Sequence, residues 1–269
     1  MRYTMALILT AITLSTATPA ASLERSRPRK EVSIEVVSDT GRSMLTVPHK
    51  EYRNEGTRII KKYLEAKQGE NYGIVIRNTT PERIGVVIAV DGRNIISGKK
   101  SDLKNNENMY VINGYGHARY DGWRTDRDTV HRFYFTATDD SYAVRTFNDS
   151  SAMGVIAVAV YREKERPQPL YEGKKEHAPA APSVGSSAKS RMGAQRDESA
   201  GTGFGDARHS PVITVSFEPE HAPVQKTLIK YEWREVLCRK GILSCRQEQG
   251  NRFWDQDEYA PYPPGYPVN

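Results

Sequence analysis

The sequence has few of the residues that build metal, redox and nucleophile sites. Its 269 residues include two cysteines and six histidines, and no histidine stands in a ligand spacing such as HExxH. It also has no Gly-x-Ser-x-Gly nucleophile motif. His117 and His131 flank Asp121 and could meet at a metal, but a histidine pair without ligand spacing is more typical of turn or surface structure. The sequence therefore predicts no cofactor and no metal site, and it leans away from an enzyme.

Long hydrophobic runs are also scarce. One follows Arg2 and covers about residues 5–14, and small residues surround Ala20 and Ala21. This pattern predicts a secretory signal peptide over residues 1–21. A membrane anchor is the alternative, because the run is near the lower length limit for spanning a bilayer. We expect an exported chain, periplasmic or extracellular, with no integral membrane segment after cleavage.

Charge of one sign is not concentrated anywhere in the chain. The 39 lysines and arginines face 33 aspartates and glutamates, which leaves a net charge of +6, and acids and bases alternate in stretches such as GWRTDRDTVHR. Proteins that bind nucleic acid normally carry a concentrated basic face, so no nucleic-acid partner is expected. The small positive excess fits loose attraction to anionic glycans or to cell envelopes.

Strand-like runs separated by turn residues fill residues 31–164. The run VSIEVV alternates, NYGIVIRN places Tyr72, Ile74 and Ile76 on one face, and SYAVRTF and MGVIAVAVYR complete the series. The stretch TRIIKKYLEA is ambiguous between helix and strand. The spacing predicts a mostly β fold, an antiparallel β-sandwich over residues 31–164.

Asp91 and Gly92 separate the apolar run Ile84–Val90 from the sequence RNIIS. A two-residue type I′ turn needs a positive φ at both central positions, which Asp and Gly tolerate. We therefore expect Ile84–Val90 to pair with Arg93–Ser97. Too few oxygen ligands follow for a calcium loop, and no helix signal follows for a phosphate loop. Asp91 is thus interpreted as a turn residue.

Composition changes after the last strand of the predicted sandwich. Residues 165–210 are rich in Pro, Ala, Gly, Ser and charge, which predicts a disordered linker; its GTGFG motif lacks the strand and helix that flank a dinucleotide site. Residues 211–248 are predicted as a short β-containing segment that either docks on the sandwich or is held by a disulfide, because so short a unit rarely folds alone. Residues 249–269 combine aromatics with proline and are predicted as an extended, partly polyproline-like tail.

Cys238 and Cys245 are seven residues apart. On one helix their Cα atoms would be about 10 Å apart, too far for a disulfide. In a hairpin turning at Gly241 and Ile242 they would lie opposite each other at about 5.5 Å. Export favours the bond, so we predict a Cys238–Cys245 disulfide. A helix over REVLCRKGIL, ended by Gly241, and two buried free thiols are the alternatives.

One segment, YVINGYGHARYDGWRTDRDTVHRFYF, is rich in aromatic rings and guanidinium groups. Such groups stack on sugar rings, hold carboxylates or phosphates, and are equally common in protein interfaces. The alternative is that the tryptophan and the tyrosines fill the edges of the sandwich core. The candidate ligand-binding residues are Tyr115, Tyr120, Trp123, Arg124 and Arg127.

A set of motifs carries a family resemblance: VDGRNIISG, DGWR, DSYAVRT and GVIAVAVYRE, followed by GTGFG and YEWREVLCRKGI. Together they resemble a group of uncharacterised exported bacterial β-rich proteins over roughly residues 60–165 and 200–245. The resemblance implies an envelope or secreted protein built on a β-sandwich. It implies no activity and assigns no functional residue.

These observations lead us to expect an exported, non-catalytic β-sandwich module that binds a glycan or a protein partner in the bacterial envelope or exterior. One alternative is an envelope hydrolase acting on polysaccharide, which would show an acidic cleft with a raised carboxyl pKa. The other is a surface-structure assembly subunit that pairs a strand at a sheet edge, which would show an uncovered apolar edge or groove.

Overall fold

Two seven-stranded β-sheets pack face to face in the computed structural model, which describes residues 32–164 and 199–245. The strands are β1 (Val32–Ser38), β2 (Thr46–Asn54), β3 (Thr57–Ala66), β4 (Asn71–Asn78), β5 (Ile84–Val90), β6 (Arg93–Asn94), β7 (Tyr110–Ile112), β8 (His117–Tyr120), β9 (Gly122–Arg124), β10 (Thr129–Ala137), β11 (Val155–Arg162), β12 (Ala200–Thr202), β13 (Ala207–His209) and β14 (Gln225–Trp233). A 3-10 turn (Thr138–Asp140) and two helices, α1 (Tyr142–Phe147) and α2 (Arg234–Arg239), complete the described elements. The predicted mostly β sandwich is confirmed.

The first sheet has the order β1–β4–β10–β12, with β8 beside β4 and with β9 and β13 beside β10. The second sheet has the order β2–β3–β14–β11–β5–β6, with β7 beside β5. Strand β14 runs parallel to β3 and antiparallel to β11. In the part of the chain that the structure describes, no helix is both long and apolar enough to cross a membrane.

The core lies between the two sheets and follows the alternation of the sequence. The predicted face of β4, with Tyr72, Ile74 and Ile76, is buried against residues of the opposite sheet such as Ile156 and Ile229. Strand β5 is buried along its whole length, because a loop carrying Leu103 and Met109 covers its outer face. This explains why Ile84–Val90 is an unbroken apolar run.

The Asp91–Gly92 turn is confirmed, since φ is 48° at Asp91 and 75° at Gly92. The predicted pairing out to Ser97 is wrong, because β6 contains two residues. The side-chain oxygen of Asn94 accepts hydrogen bonds from the backbone N–H groups of Ile96 and Ser97 at 3.0 and 3.3 Å. This side chain turns the backbone out of the ladder immediately after the hairpin.

The SYAVRTF run was predicted as a strand, and this prediction is wrong. Tyr142–Phe147 forms helix α1. Ser141 caps the helix by accepting a hydrogen bond from the Val144 N–H at 3.3 Å, and Asn148 ends it in the left-handed region with φ 53°. The capping residues outweigh the β-propensity of a run that is only six residues long.

The linker prediction is wrong at its C-terminal end. Residues 200–209 contain β12 and β13, which both pair with β10. The glycines of GTGFG allow close approach here: a Cβ on Gly203 would lie 2.1 Å from Cζ of Tyr134. The rest of the predicted linker, residues 165–198, lies outside the described residues, as do the predicted signal peptide and the predicted tail over 249–269.

The segment predicted to dock on the sandwich supplies a central strand of it. Strand β14 lies between β3 and β11, with Ile229 and Tyr231 fully buried. The structure contains a Cys238–Cys245 disulfide, with the two Cα atoms 5.5 Å apart. The predicted hairpin is wrong, because Cys238 lies in helix α2 and the chain reverses after it at Gly241, where φ is 67°.

Candidate functional site

Two of the five predicted ligand-binding residues belong to the core. Trp123 is buried, and its Nε1–H donates a hydrogen bond to the carbonyl oxygen of Gly203 at 3.0 Å. Tyr120 is also buried and packs on Tyr110 with ring centroids 4.4 Å apart. These two side chains fill the edges of the sandwich core, which is the alternative interpretation of the aromatic segment.

Arg124 is occupied by interactions within the protein. Its Nε donates to the hydroxyl of Tyr110 at 2.8 Å, and Nη1 and Nη2 donate to the carbonyl and hydroxyl oxygens of Ser210 at 2.9 and 3.2 Å. Nη1 also donates to two backbone carbonyls of the β9–β10 turn at 3.1 Å. The guanidinium group therefore fixes this turn to the chain that follows β13.

Tyr115 and Arg127 are exposed, but they lie on different turns. Tyr115, 71% exposed, is between β7 and β8, and Arg127 is between β9 and β10. The five predicted residues therefore do not form one exposed surface. The aromatic and basic composition of the segment has mainly a structural cause.

The histidine pair is separated by its own contacts. Nδ1 of His131 is hydrogen-bonded to the carbonyl oxygen of Gly205 at 2.8 Å, and Asp121 is ion-paired with Arg119 at 2.5 Å. His117 is exposed on β8. Among residues 32–164 and 199–245, no three His, Cys, Asp or Glu side chains cluster as metal ligands would.

The outer face of β2, β3 and β14 presents a different surface, which we call the lysine–tyrosine face. Register places Lys50 opposite Lys61 and Tyr52 opposite Ile59, while β14 adds Lys226 beside Ile59. The neighbouring positions on β3 and β14 point into the core, where Leu64 and Ile229 are buried. The lysine–tyrosine face consists of Lys50, Tyr52, Lys61, Tyr63 and Lys226.

The ammonium groups of this face are close to its rings. Nζ of Lys50 lies 5.2 Å from the ring centroid of Tyr52, and Nζ of Lys61 lies 6.0 Å from the same centroid. Within the described residues, no acidic side chain is ion-paired with Lys50, Lys61 or Lys226. Such cations beside half-buried rings are available for an anion.

The acidic residues of β2, β3 and β14 are each ion-paired with a basic side chain. Glu51 pairs with Arg58 at 2.7 Å, Glu65 pairs with Arg234 at 3.2 Å, and the buried Glu232 pairs with Lys240 at 2.6 Å. Among the residues that the structure describes, Lys50, Lys61 and Lys226 have no acidic partner and therefore give this side of the sheet a local positive charge. The modest net charge of the sequence conceals it, because it arises only after folding.

Edge protection explains part of this pattern. Strand β2 is a sheet edge, and its Pro48 and the irregularity between Pro48 and Lys50 discourage pairing with another chain. A lysine on an edge strand serves the same purpose, so Lys50 alone would need no ligand. Lys61 and Lys226 lie on β3 and β14, which are paired on both sides, and edge protection does not account for them.

A buried hydrogen-bond chain joins the two sheets around Asp91. The sequence indicates a turn at Asp91 but does not predict a role for its side chain. Oδ1 of Asp91 accepts hydrogen bonds from the N–H of Gly154 at 2.7 Å and from the hydroxyl of Tyr231 at 2.5 Å, and Oδ2 accepts from the N–H of Thr202 at 2.7 Å. Thr202 Oγ1 lies 2.7 Å from the Tyr231 hydroxyl and 2.8 Å from that of Tyr72. Since Tyr231 gives its proton to Asp91, Thr202 donates to Tyr231, and Tyr72 donates to Thr202.

Burial raises the pKa of Asp91 to about 6, against the lowering effect of its hydrogen bonds. Burial also raises the pKa values of Tyr72 and Tyr231 well above their usual range, so both remain donors. Asp91 is 1% exposed. Its raised pKa therefore belongs to a carboxyl that no polysaccharide can reach, and the cluster gives no support to the hydrolase alternative.

No protein-family model, curated protein or solved structure matches the chain.

Proposed function

We propose that this protein is an exported, non-catalytic β-sandwich module that binds an anionic glycan of the bacterial envelope or exterior on the lysine–tyrosine face. The observation that carries the proposal is a group of three lysines beside two half-buried tyrosines on one side of a sheet, where the described part of the chain supplies the lysines with no acidic partner. The signal-peptide pattern predicts export to a compartment in which such polymers occur.

The chemistry of the face suits a polymer with alternating apolar and anionic parts. Neighbouring strands are about 4.8 Å apart, so the side chains of three strands extend across about 10 Å. Tyrosine rings offer flat apolar surfaces to the C–H faces of sugar rings, and the ammonium groups attract carboxylate, sulfate or phosphate substituents. Because these charges are exposed, binding should weaken as salt is added.

Binding of the full chain to a polyuronic acid and to a neutral glucan tests the proposal. We expect binding of the polyuronic acid alone, and a triple variant Lys50→Ala, Lys61→Ala, Lys226→Ala should weaken it about 10-fold to 100-fold, at about 0.5–1 kcal/mol per exposed pair. The matched control lowers the net charge equally by replacing Lys99, Lys104 and Lys164. The control should retain its affinity, because Lys104 and Lys164 are already paired with Asp102 and Glu218.

Two results would contradict the proposal. Equal weakening in both triple variants would mean that net charge, not this face, attracts the polymer. Equal binding of the neutral glucan would mean that the lysines do not recognise the ligand.

One observation favours a second candidate, a surface-structure assembly subunit that pairs strands. Residues 211–217 form no strand although their sequence is β-branched, and Ile213 is 86% exposed. Val215 is also exposed. Strand addition would cover these side chains. The double variant Ile213→Asp, Val215→Asp should then lose incorporation into native high-mass assemblies and keep polysaccharide binding; unchanged incorporation would reject this candidate.

A further inference from the structure

A groove lined by aromatic rings lies at the opposite sheet from the lysine–tyrosine face. Its volume is about 350 Å³, and we call it the aromatic groove. Its rings come from β10, from α1 and from the GTGFG segment that follows β12. The lining residues are Tyr134, Asp140, Tyr142, Arg145, Thr146 and Phe204.

The rings of the aromatic groove are held in place by their neighbours. Phe204 stacks on His131 with centroids 4.1 Å apart and on Tyr142 with centroids 5.2 Å apart. Tyr142 in turn packs on the buried Trp123 at 4.6 Å. Gly203 lies directly against Tyr134, where a side chain would not fit. A ligand would therefore contact rings that are already ordered, so the protein would lose little side-chain entropy on binding it.

One ring of the groove and one ring beside it are left partly uncovered by the described residues. Phe204 is 39% exposed and Phe147, which packs edge-on against Tyr142, is 40% exposed. Arg145 is exposed at the groove, and among the described residues no acidic side chain is ion-paired with it. The groove is therefore lined by partly uncovered aromatic rings, by one guanidinium group, Arg145, and by one carboxylate, Asp140. It suits a ligand with apolar rings that carries its negative charge on the side of Arg145.

Residues 259–267 of the same chain, YAPYPPGYP, have this chemistry. They contain four prolines and three tyrosines, and Asp255, Asp257 and Glu258 directly precede them. Aromatic-lined grooves bind proline-rich segments because the proline rings stack on them and because such segments lose little conformational entropy. The acidic residues provide the charge that is complementary to Arg145.

We propose that the aromatic groove binds residues 259–267 of its own chain, with Arg145 contacting the acidic residues before them. The connection is long enough. Thirteen residues lie between Cys245 and Tyr259, and they span up to about 43 Å when extended. A body of about 180 residues has a radius of gyration of only about 16 Å. Tethering also gives a local concentration of about a millimolar, so even a weak contact is populated.

A photo-crosslinking probe tests this proposal in the full chain. Benzoylphenylalanine at Phe204 should crosslink to a peptide containing residues 259–267, identified by mass spectrometry, and dilution should not lower the yield. The matched control places the probe at Tyr115, an aromatic residue that is 71% exposed outside the groove. This control should not label the same peptide. A probe at Thr146, which lines the groove, repeats the measurement without changing the stacked ring of Phe204.

Two further variants identify the recognised features. Alanine at Pro261, Pro263 and Pro264 and, separately, Arg145→Glu should each lower the crosslinking yield at least by half. Adducts that form only between two molecules, or that lie elsewhere in the chain from both groove probes, would overturn the proposal. So would equal labelling of residues 259–267 from Tyr115. A proline-rich peptide added in trans should compete with the intramolecular crosslink; if an acidic sugar competes and the peptide does not, the groove is not a site for this segment.

Discussion

Replacing Asp91 by asparagine should remove a pH dependence of folding that the buried hydrogen-bond chain creates. The folded carboxyl has a pKa of about 6, against an ordinary value of 3.8. The folded state therefore keeps the proton over a range of pH in which the unfolded chain loses it. The stabilising contribution of Asp91 is complete below about pH 4 and is lost as the pH rises through about 6.

The size of the effect follows from the difference between the two pKa values. A shift of about two units corresponds to about 3 kcal/mol between the protonated and ionised forms. Asparagine tolerates the positive φ at this turn as aspartate does, so the backbone should not change. Its amide would place a donor toward the Thr202 N–H, which adds a cost of about 1–3 kcal/mol that does not vary with pH.

The assay is urea unfolding of the wild type and of Asp91→Asn at several pH values from 4 to 7. Groups distant from Asp91 titrate equally in both proteins and cancel in the difference. The stability of the wild type minus that of the variant should fall by about 2 kcal/mol across this range, because part of the full effect of about 3 kcal/mol is already lost at pH 4. A difference that rises with pH would refute the reasoning: it would mean that the three donors favour the carboxylate more than burial disfavours it.

Two other predictions concern stability. Gly203→Ala should lower the free energy of unfolding by about 1–3 kcal/mol, because the new Cβ would overlap the ring of Tyr134; a neutral result in chemical denaturation would show that this segment is not held against β10. Replacing Cys238 and Cys245 by serine should cost about 2 kcal/mol, since the closed loop is short, and the same loss should follow reduction of the wild type; a larger loss would mean that the bond also holds β14 in place.

The sandwich could be predicted because its evidence is local. Alternation along β1 and β4 and the Asp91–Gly92 turn each depend on a few neighbouring residues. The helix at Tyr142–Phe147 was missed although its signals, Ser141 before it and Asn148 after it, are also local. A run of strands on both sides made a further strand the more consistent interpretation, and six residues are too few for a helical period to show.

Glycine has two uses that composition does not separate. The predicted linker and the GTGFG motif are both glycine-rich, and a glycine can give a chain freedom or let it pass close to another atom. Only the position of Tyr134, about seventy residues earlier in the chain, shows that Gly203 has the second use. For this reason the end of the linker was placed about ten residues too late.

The proposed binding surface also could not be predicted from short stretches of sequence. Trp123, Tyr120 and Arg124 are residue types that are common in ligand sites. In this structure the two aromatic rings fill the core instead, and the guanidinium group of Arg124 donates to backbone carbonyl oxygens. The lysine–tyrosine face has no signature in any single segment. It exists because β14 pairs in parallel with β3, which brings Lys226 beside a hairpin more than 160 residues away in sequence. A parallel pairing between distant strands has no local signal comparable to a hairpin turn, so the charges it assembles become visible only when the register is known.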